Sequence, residues 1–408
     1  MSDFFAQHPV LVVSAIKVIV LIVLMLTWFA YLTWFERKVV AHIQSRWGPY
    51  RVGPHGLLQP LADGLKFLFK EDPTPGGVDK LVYFLAPFLA MSLALSAIAV
   101  IPFGPAQFEI FGHATGLQIA DLNIGLLFLF AITSLGVYGV ALGGWASNSK
   151  YPLLGGLRSS AQMVSYELSM TMSVVGVVLM AGTFNLREII TQQQGYWLGI
   201  VPRWNLLAPP FPQFLGFFIY FVSAIAETNR VPFDLPEAET ELVAGFHTEY
   251  ASFKFAMFFM AEYFNMITVS CLATLLFFGG WLSPFSSNGW MAWTLNIPTA
   301  VLAACAVMLF LDGLRYSTKF GRILLPVLAV IVAGLAAVCA MDGAVQFVQG
   351  PFWFLLKVFL FLFFYVWLRG TLPRFRYDQL MAFGWKVLLP LSIVNVILTS
   401  AMVLVSKR

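Results

Sequence analysis

Glu167 and Glu262 stand inside apolar runs, RSSAQMVSYELSMTMSVVG and KFAMFFMAEYFNMITVSCLATLLFF, where a helix facing only lipid would carry no charge. Glu262 lies eight residues beyond Lys254, ~12 Å inward along a helix rising ~1.5 Å per residue. Near the centre of a bilayer a carboxylate costs about 2.5–3.5 kcal/mol on insertion scales, so acids placed there face a partner or a wet cavity. A carboxyl shielded from water and close to other carboxyls exchanges its proton nearer neutral pH, which suits proton transfer. A hydrogen bond that merely pins two helices together is the structural alternative. Between the two runs lies AETNRVPFDLPEAETELVAGFHTEY, residues 226–250, where Glu227, Asp234, Glu237, Glu239, Glu241 and Glu249 gather around Arg230 in a chain only 11% charged. Acidic loops are commonly just solvated. Here Pro232 and Pro236 stiffen the segment, and Val231, Phe233, Leu235, Leu242, Val243 and Phe246 alternate with the acids, so part of it is expected to pack. A folded acidic connection (227–254) beside two intramembrane glutamates reads as the mouth of a proton path, with Arg230 as the local counter-charge.

A second charged region, residues 34–80, is too long for a simple turn between spans. Within it Leu57, Leu58, Leu61, Leu65 and Leu68 share one helical face, and Gln59, Asp63, Lys66 and Lys70 form the opposite stripe. That pattern predicts a helix lying flat in the interface. Upstream, Glu36, Arg37, Arg46 and Arg51 are punctuated by Gly48-Pro49 and Gly53-Pro54, turns that fix where guanidinium groups point. Together these features suggest a docking surface or a portal.

The elements that must position these residues are membrane spans. The chain has 408 residues, 59% of them hydrophobic and 40 of them Phe, well above the apolar share of soluble domains. About 20 apolar residues cross a bilayer, and ten stretches qualify: 10–33, 82–103, 122–145, 161–182, 211–227, 255–279, 297–314, 323–341, 352–369 and 385–405. The first is read as a retained helix, because no basic residue precedes it and no small-residue cleavage site follows. Of 24 Lys and Arg, 18 fall on the odd-numbered connections, which therefore face the cytoplasm and leave both termini outside. Lys17 and Lys357, inside spans near the outer face, are expected to snorkel. The expected fold is thus all-α: one polytopic membrane domain over residues 1–408, with about ten transmembrane helices and a cytoplasmic interfacial amphipathic helix.

Several chemistries are not encoded. Cys271, Cys305 and Cys339 sit singly, without metal or disulfide spacing. The histidines, His8, His42, His55, His113 and His247, avoid the middles of the spans, so no pair of axial haem ligands can be built inside a bundle. No Walker A or GxGxxG motif opens a nucleotide domain, and no fixed-period or inverted repeat suggests a secondary transporter. The chain has no apparent electron carrier, metal site or nucleic-acid surface of its own.

Four blocks resemble the H subunit of proton-translocating NADH:quinone oxidoreductase, respiratory complex I, counterpart of its first mitochondrially encoded core subunit. They are ERKVVAHIQSRWGPYRVGPHGLLQPLADGLKFLFKED, LRSSAQMVSYELSM, AETNRVPFDLPEAETELVAGFHTEYASFKFAMFFMAEY and RGTLPRFRYDQLMAFGWKVLLPL. The resemblance covers roughly 1–282 and 351–408. It implies a translocase component, not catalytic alone, in a bacterial inner membrane respiratory chain, with quinone (ubiquinone or a relative) as substrate. It also implies that NADH, FMN and the iron–sulfur clusters are held by partners. Arg37, Arg46, Asp63 and Lys66 would belong to the quinone tunnel and its mouth. Glu167, Glu227, Glu237, Glu239, Glu241 and Glu262 would form the proton path toward antiporter-like membrane subunits, and the third and fifth connections would dock hydrophilic quinone-site subunits. Residues 286–350 depart from shorter family members and add two spans. There Asp312 and Arg315, three apart, are expected to pair at a helix end, and the added pair to meet lipid or an accessory subunit. The membrane subunit of a hydrogenase or formate-oxidising complex, a free-standing ion transporter and a purely structural anchor are the competing readings.

Overall fold

The structure is a computed structural model that describes residues 9–105, 107–110, 113–197, 199, 201–234, 243–286 and 289–406. Its order is α1 (Pro9–Ile43), α2 (Gln59–Phe69), α3 (Lys80–Ile98), a small hairpin of β1 (Gln107–Ile110) and β2 (His113–Gly116), then α4 (Gly125–Ala146), α5 (Lys150–Ala181) and α6 (Leu186–Gln192). A two-residue pair, β3 (Tyr196–Trp197) and β4 (Val201–Pro202), precedes α7 (Phe214–Glu227), α8 (Ser252–Phe277), α9 (Ile297–Arg315), α10 (Lys319–Cys339), α11 (Asp342–Thr371), α12 (Tyr377–Phe383) and α13 (Leu389–Ser406). Among the described residues nine helices are long and apolar enough to span a membrane. The protein is an all-α, multi-pass membrane protein.

The fifth expected span, 211–227, forms a helix too short to cross by itself. Its 14 residues reach about 21 Å against a hydrocarbon core of about 30 Å. Three prolines, Pro209, Pro210 and Pro212, precede it, and at its other end the backbone turns at Thr228. Backbone at membrane depth that leaves a helix needs partners inside the protein. Gln162 on α5 supplies them, donating from Nε2 to the carbonyls of Ala226 at 2.8 Å and Phe233 at 2.9 Å. Asn229 donates to Ser159 Oγ at 2.8 Å. The opening of the acidic connection is thereby strapped to α5, with Phe233 and, further on, Phe246 buried as the alternation predicted, while Val243 is exposed.

Helices approach closely where side chains are small, as bilayer interfaces favour. A Cβ on Gly139 of α4 would meet Ala90 of α3 at 2.8 Å, and one on Gly144 would meet the Pro152 carbonyl of α5 at 2.5 Å. At the centre runs α8, 72% buried over its most apolar stretch, whereas α9 and α10 are 17% and 22% buried and sit at the periphery. The amphipathic helix appears as α2: Leu61, Leu65 and Leu68 face outward, and Asp63 faces the end of α1. Helix α1 continues past the expected end at 33 to Ile43, so Glu36 lies on a helix rather than in the following turns.

Candidate functional site

Helix α1 brings Glu36 against α8, where it is 4% exposed. There Tyr263 donates its hydroxyl to Glu36 Oε2, Arg369 at the end of α11 bonds Oε1, and Arg230 Nη1 stands 3.5 Å from the same oxygen. The Arg230 guanidinium also lies over the Tyr263 ring, 4.1 Å from its centroid. Two guanidinium groups and a phenol thus surround one carboxylate. A buried pair is secure only when such extra hydrogen bonds offset its desolvation.

Next to Tyr263 on α8 is Glu262, and about 100° per residue turns it to a different side of the helix. It lines a small cavity of about 30 Å³ together with Glu227, Thr228, Asn229, Asn265 and Thr133, closed by Ala90, Ala94, Met163, Phe246 and Phe258. That volume holds one or two waters, and the polar lining gives them partners. Glu227 Oε2 is buried without a hydrogen-bond partner among the described residues, and Glu167 lies within electrostatic reach of Glu227. Glu167 in turn accepts from Ser134 Oγ on α4. Glu227 and Glu262 therefore share a small cavity, and Glu167 lies close enough to Glu227 for their charges to interact. Glu237, Glu239 and Glu241 lie outside the described residues.

In the first connection Arg37, Asp63 and Lys66 meet: Arg37 Nη1 is 2.6 Å from Asp63 Oδ2, Lys66 Nζ is 3.6 Å from Oδ1, and Gln59 adds a bond at 3.2 Å. Arg46 stands apart, donating to Gln44 at 2.8 Å. Beside it Trp47, Gly48, Pro49, Tyr50, Arg51 and Gln59 line a recess of about 680 Å³. The connection that follows α11 docks on the acidic connection that follows α7, with Arg374 on Asp234 at 2.9 Å and Phe375 stacked on Phe233, centroids 5.6 Å apart.

Two sequence expectations are corrected. Lys357 does not snorkel: its ammonium donates to the carbonyls of Phe278, Gly280 and Leu282 at 2.7, 2.9 and 2.6 Å, and it lies 4.5 Å from the Trp204 ring centroid. A cation on the orphan carbonyls that follow α8 complements the helix dipole. Lys17 likewise reaches the Gln118 carbonyl at 2.9 Å. Asp312 does not pair with Arg315; its Oδ2 meets His55 Nε2 at 2.7 Å, because a residue 257 positions away is closer than the one a turn below. The Glu36 cluster is only half legible in the sequence, where charge marks Glu36 and Arg230 in separate segments and nothing marks Tyr263 or Arg369 as their partners.

A multi-pass helical membrane protein with a buried carboxylate held between two arginines and a second group of partly buried carboxylates beside a small cavity is the class that this fold and site define. A family model described as NADH dehydrogenase matches residues 16–400. The chain is 51% identical over 391 residues to the NADH-quinone oxidoreductase H subunit numbered 1 in Solibacter usitatus, covering 96% of each chain. It is 52% identical over 404 residues to the H subunit numbered 2 in Koribacter versatilis, covering 96% of this chain and 97% of that one. It is 44% identical over 392 residues to the corresponding H subunit of Thermomicrobium roseum, covering 95% of each. The chain belongs to the NADH dehydrogenase family, among the H subunits of NADH:quinone oxidoreductase. It is accordingly a membrane subunit of that oxidoreductase complex, with other subunits of the complex as its partners.

Proposed function

We propose that this protein forms part of the quinone-binding site and couples quinone reduction to proton translocation through its buried glutamates. The observation that carries the reading is the shared geometry of the two acid clusters. Glu227 ends α7 and Arg230 lies three residues beyond it, Glu262 and Tyr263 are adjacent on α8, and each pair places one residue in each cluster. Reducing a quinone to a quinol consumes two electrons and two protons, and electrons arriving first leave negative charge in the site. Such charge competes with Glu36 for Arg230 and Arg369. Any resulting shift of Arg230 or Tyr263 moves the backbone that holds Glu227 and Glu262, around a cavity able to hold the water a proton would cross.

In this reading the odd connections face the cytoplasm, and the chain spans a bacterial inner membrane with both termini periplasmic. The recess beside Arg51 with Arg37, Arg46, Asp63 and Lys66 forms the quinone entrance, and the third and fifth connections meet the hydrophilic quinone-site subunits. Glu237, Glu239 and Glu241 belong to the same acid path, which leads on to antiporter-like subunits. FMN and iron–sulfur clusters reside on partners. Residues 286–350 are an addition of two spans. A quinone carrying a photoreactive group tests the entrance: labelling within residues 34–80, suppressed by unlabelled quinone, is expected, and labelling confined to other subunits would refute it.

A further inference from the structure

We infer that the hairpin of α9 and α10 is a built-in clamp on the first connection, in which Asp312 and Tyr316 act as positioning residues that fix the turn at 48–58 through His55. His55 adopts φ 50° and ψ 20°, a left-handed conformation costly for a residue with a side chain unless its surroundings impose it. The surroundings are specific. Its backbone N–H donates to the Tyr316 hydroxyl at 3.0 Å, its Nε2 meets Asp312 Oδ2 at 2.7 Å, and its carbonyl accepts from Trp34 Nε1 of α1 at 3.3 Å. The Tyr316 ring lies edge-on to the imidazole, centroids 5.1 Å apart, and the Tyr50 ring is also edge-on to it at 5.5 Å.

The hairpin is shaped to present these groups. Tyr316 sits in its connecting turn, 8% exposed. Gly321 makes room for it, since a Cβ there would fall 2.2 Å from the Tyr316 ring. Thr318 caps α10 by accepting from the Gly321 N–H at 3.3 Å, holding the turn next to Tyr316. Away from this turn the hairpin is mostly greasy surface, with Val307, Met308, Ile323 and Val330 all more than half exposed. Lipid contact accounts for those residues but not for an aspartate and a tyrosine aimed at one histidine of a distant connection. On that connection, Gly56 packs so tightly that a Cβ would lie 2.3 Å from the Pro49 carbonyl, which ties His55 to the wall of the recess lined by Trp47, Pro49, Tyr50 and Arg51.

The consequence for quinone rests on the proposed reading of that recess as the entrance. A loosened turn would raise the KM for quinone while leaving kcat, and NADH oxidation by an artificial acceptor, unchanged. The test uses the intact complex with Y316F, which removes one hydroxyl, and D312A, with D312N retaining an acceptor for the imidazole. Hydrogen exchange of residues 48–58 reads the clamp directly, and KM and kcat read its use. Faster exchange by about tenfold or more in Y316F and D312A, with D312N close to wild type, is expected, because a local opening equilibrium follows the bonds that hold it shut. A rise in KM of about fivefold, equivalent to one lost hydrogen bond, should accompany it. Unchanged exchange in both variants would overturn the clamp. Faster exchange with an unchanged KM would leave the clamp standing and overturn the entrance reading instead.

Discussion

Two buried acids, one helix apart, are treated in opposite ways. Glu36 is surrounded by Arg230, Arg369 and the Tyr263 hydroxyl, so its charge is matched and its position fixed. Glu227, across α8, has no cation bridging it among the described residues and faces Glu262 over a cavity of about 30 Å³. A matched carboxylate is expensive to alter, because removing it strands the cations that it serves. An unmatched one can gain or lose a proton without breaking an ion pair. The same residue type is thus held by cations on one side of α8 and left facing another acid on the other, and the difference lies in what neighbouring helices bring.

Substitutions should separate the two. Glu36→Gln removes the carboxylate that Arg230 and Arg369 share, a change of about 3–5 kcal/mol for a buried pair, so the protein should fail to assemble or the complex should lose quinone reductase activity; immunoblots of membranes and NADH:quinone assays measure both. Glu227→Gln and Glu262→Gln are close to isosteric and leave the Glu36 cluster intact. The complex should assemble, while coupled quinone reduction falls at least about tenfold, in the range for removing a proton-transfer group; full pumping by both variants would erase the contrast. Glu167→Gln should behave similarly, and Ser134→Ala, which removes only its donor, more mildly. Lys357→Met strands three carbonyls beyond α8, and a loss on the order of 1–3 kcal/mol should appear as a lower melting temperature with activity per assembled complex retained. Asp63→Asn should matter least, below about 1 kcal/mol for a partly exposed pair, and should shift quinone KM without affecting assembly.

The sequence exposed which residues were out of place more readily than which residues met. Hydropathy located nine of the spans and the short α7, and periodicity placed α2 with Asp63 and Lys66 on its polar face. Insertion cost singled out Glu167 and Glu262, and the structure gathers both toward Glu227. Periodicity orders a face of one helix but is silent about which helices adjoin. Arg369 meets Glu36 across 333 residues, and Asp312 prefers His55 to Arg315 at a spacing where local rules favour the latter. The length and depth of Lys357 suit snorkelling, but the open carbonyls of Phe278, Gly280 and Leu282 capture it instead. Tyr263 carried no signal of its own, except that it follows an intramembrane glutamate and so points to a different side of the same helix.

The relay is tested most directly by infrared difference spectra of the complex recorded as bound quinone is reduced. A change in the band of protonated carboxyl groups is predicted, diminished in Glu227→Gln and in Glu262→Gln but retained in Asp63→Asn. The same carboxyl band in wild type and both glutamine variants would mean that neither acid changes protonation with the redox step, and would contradict the coupling assigned to them.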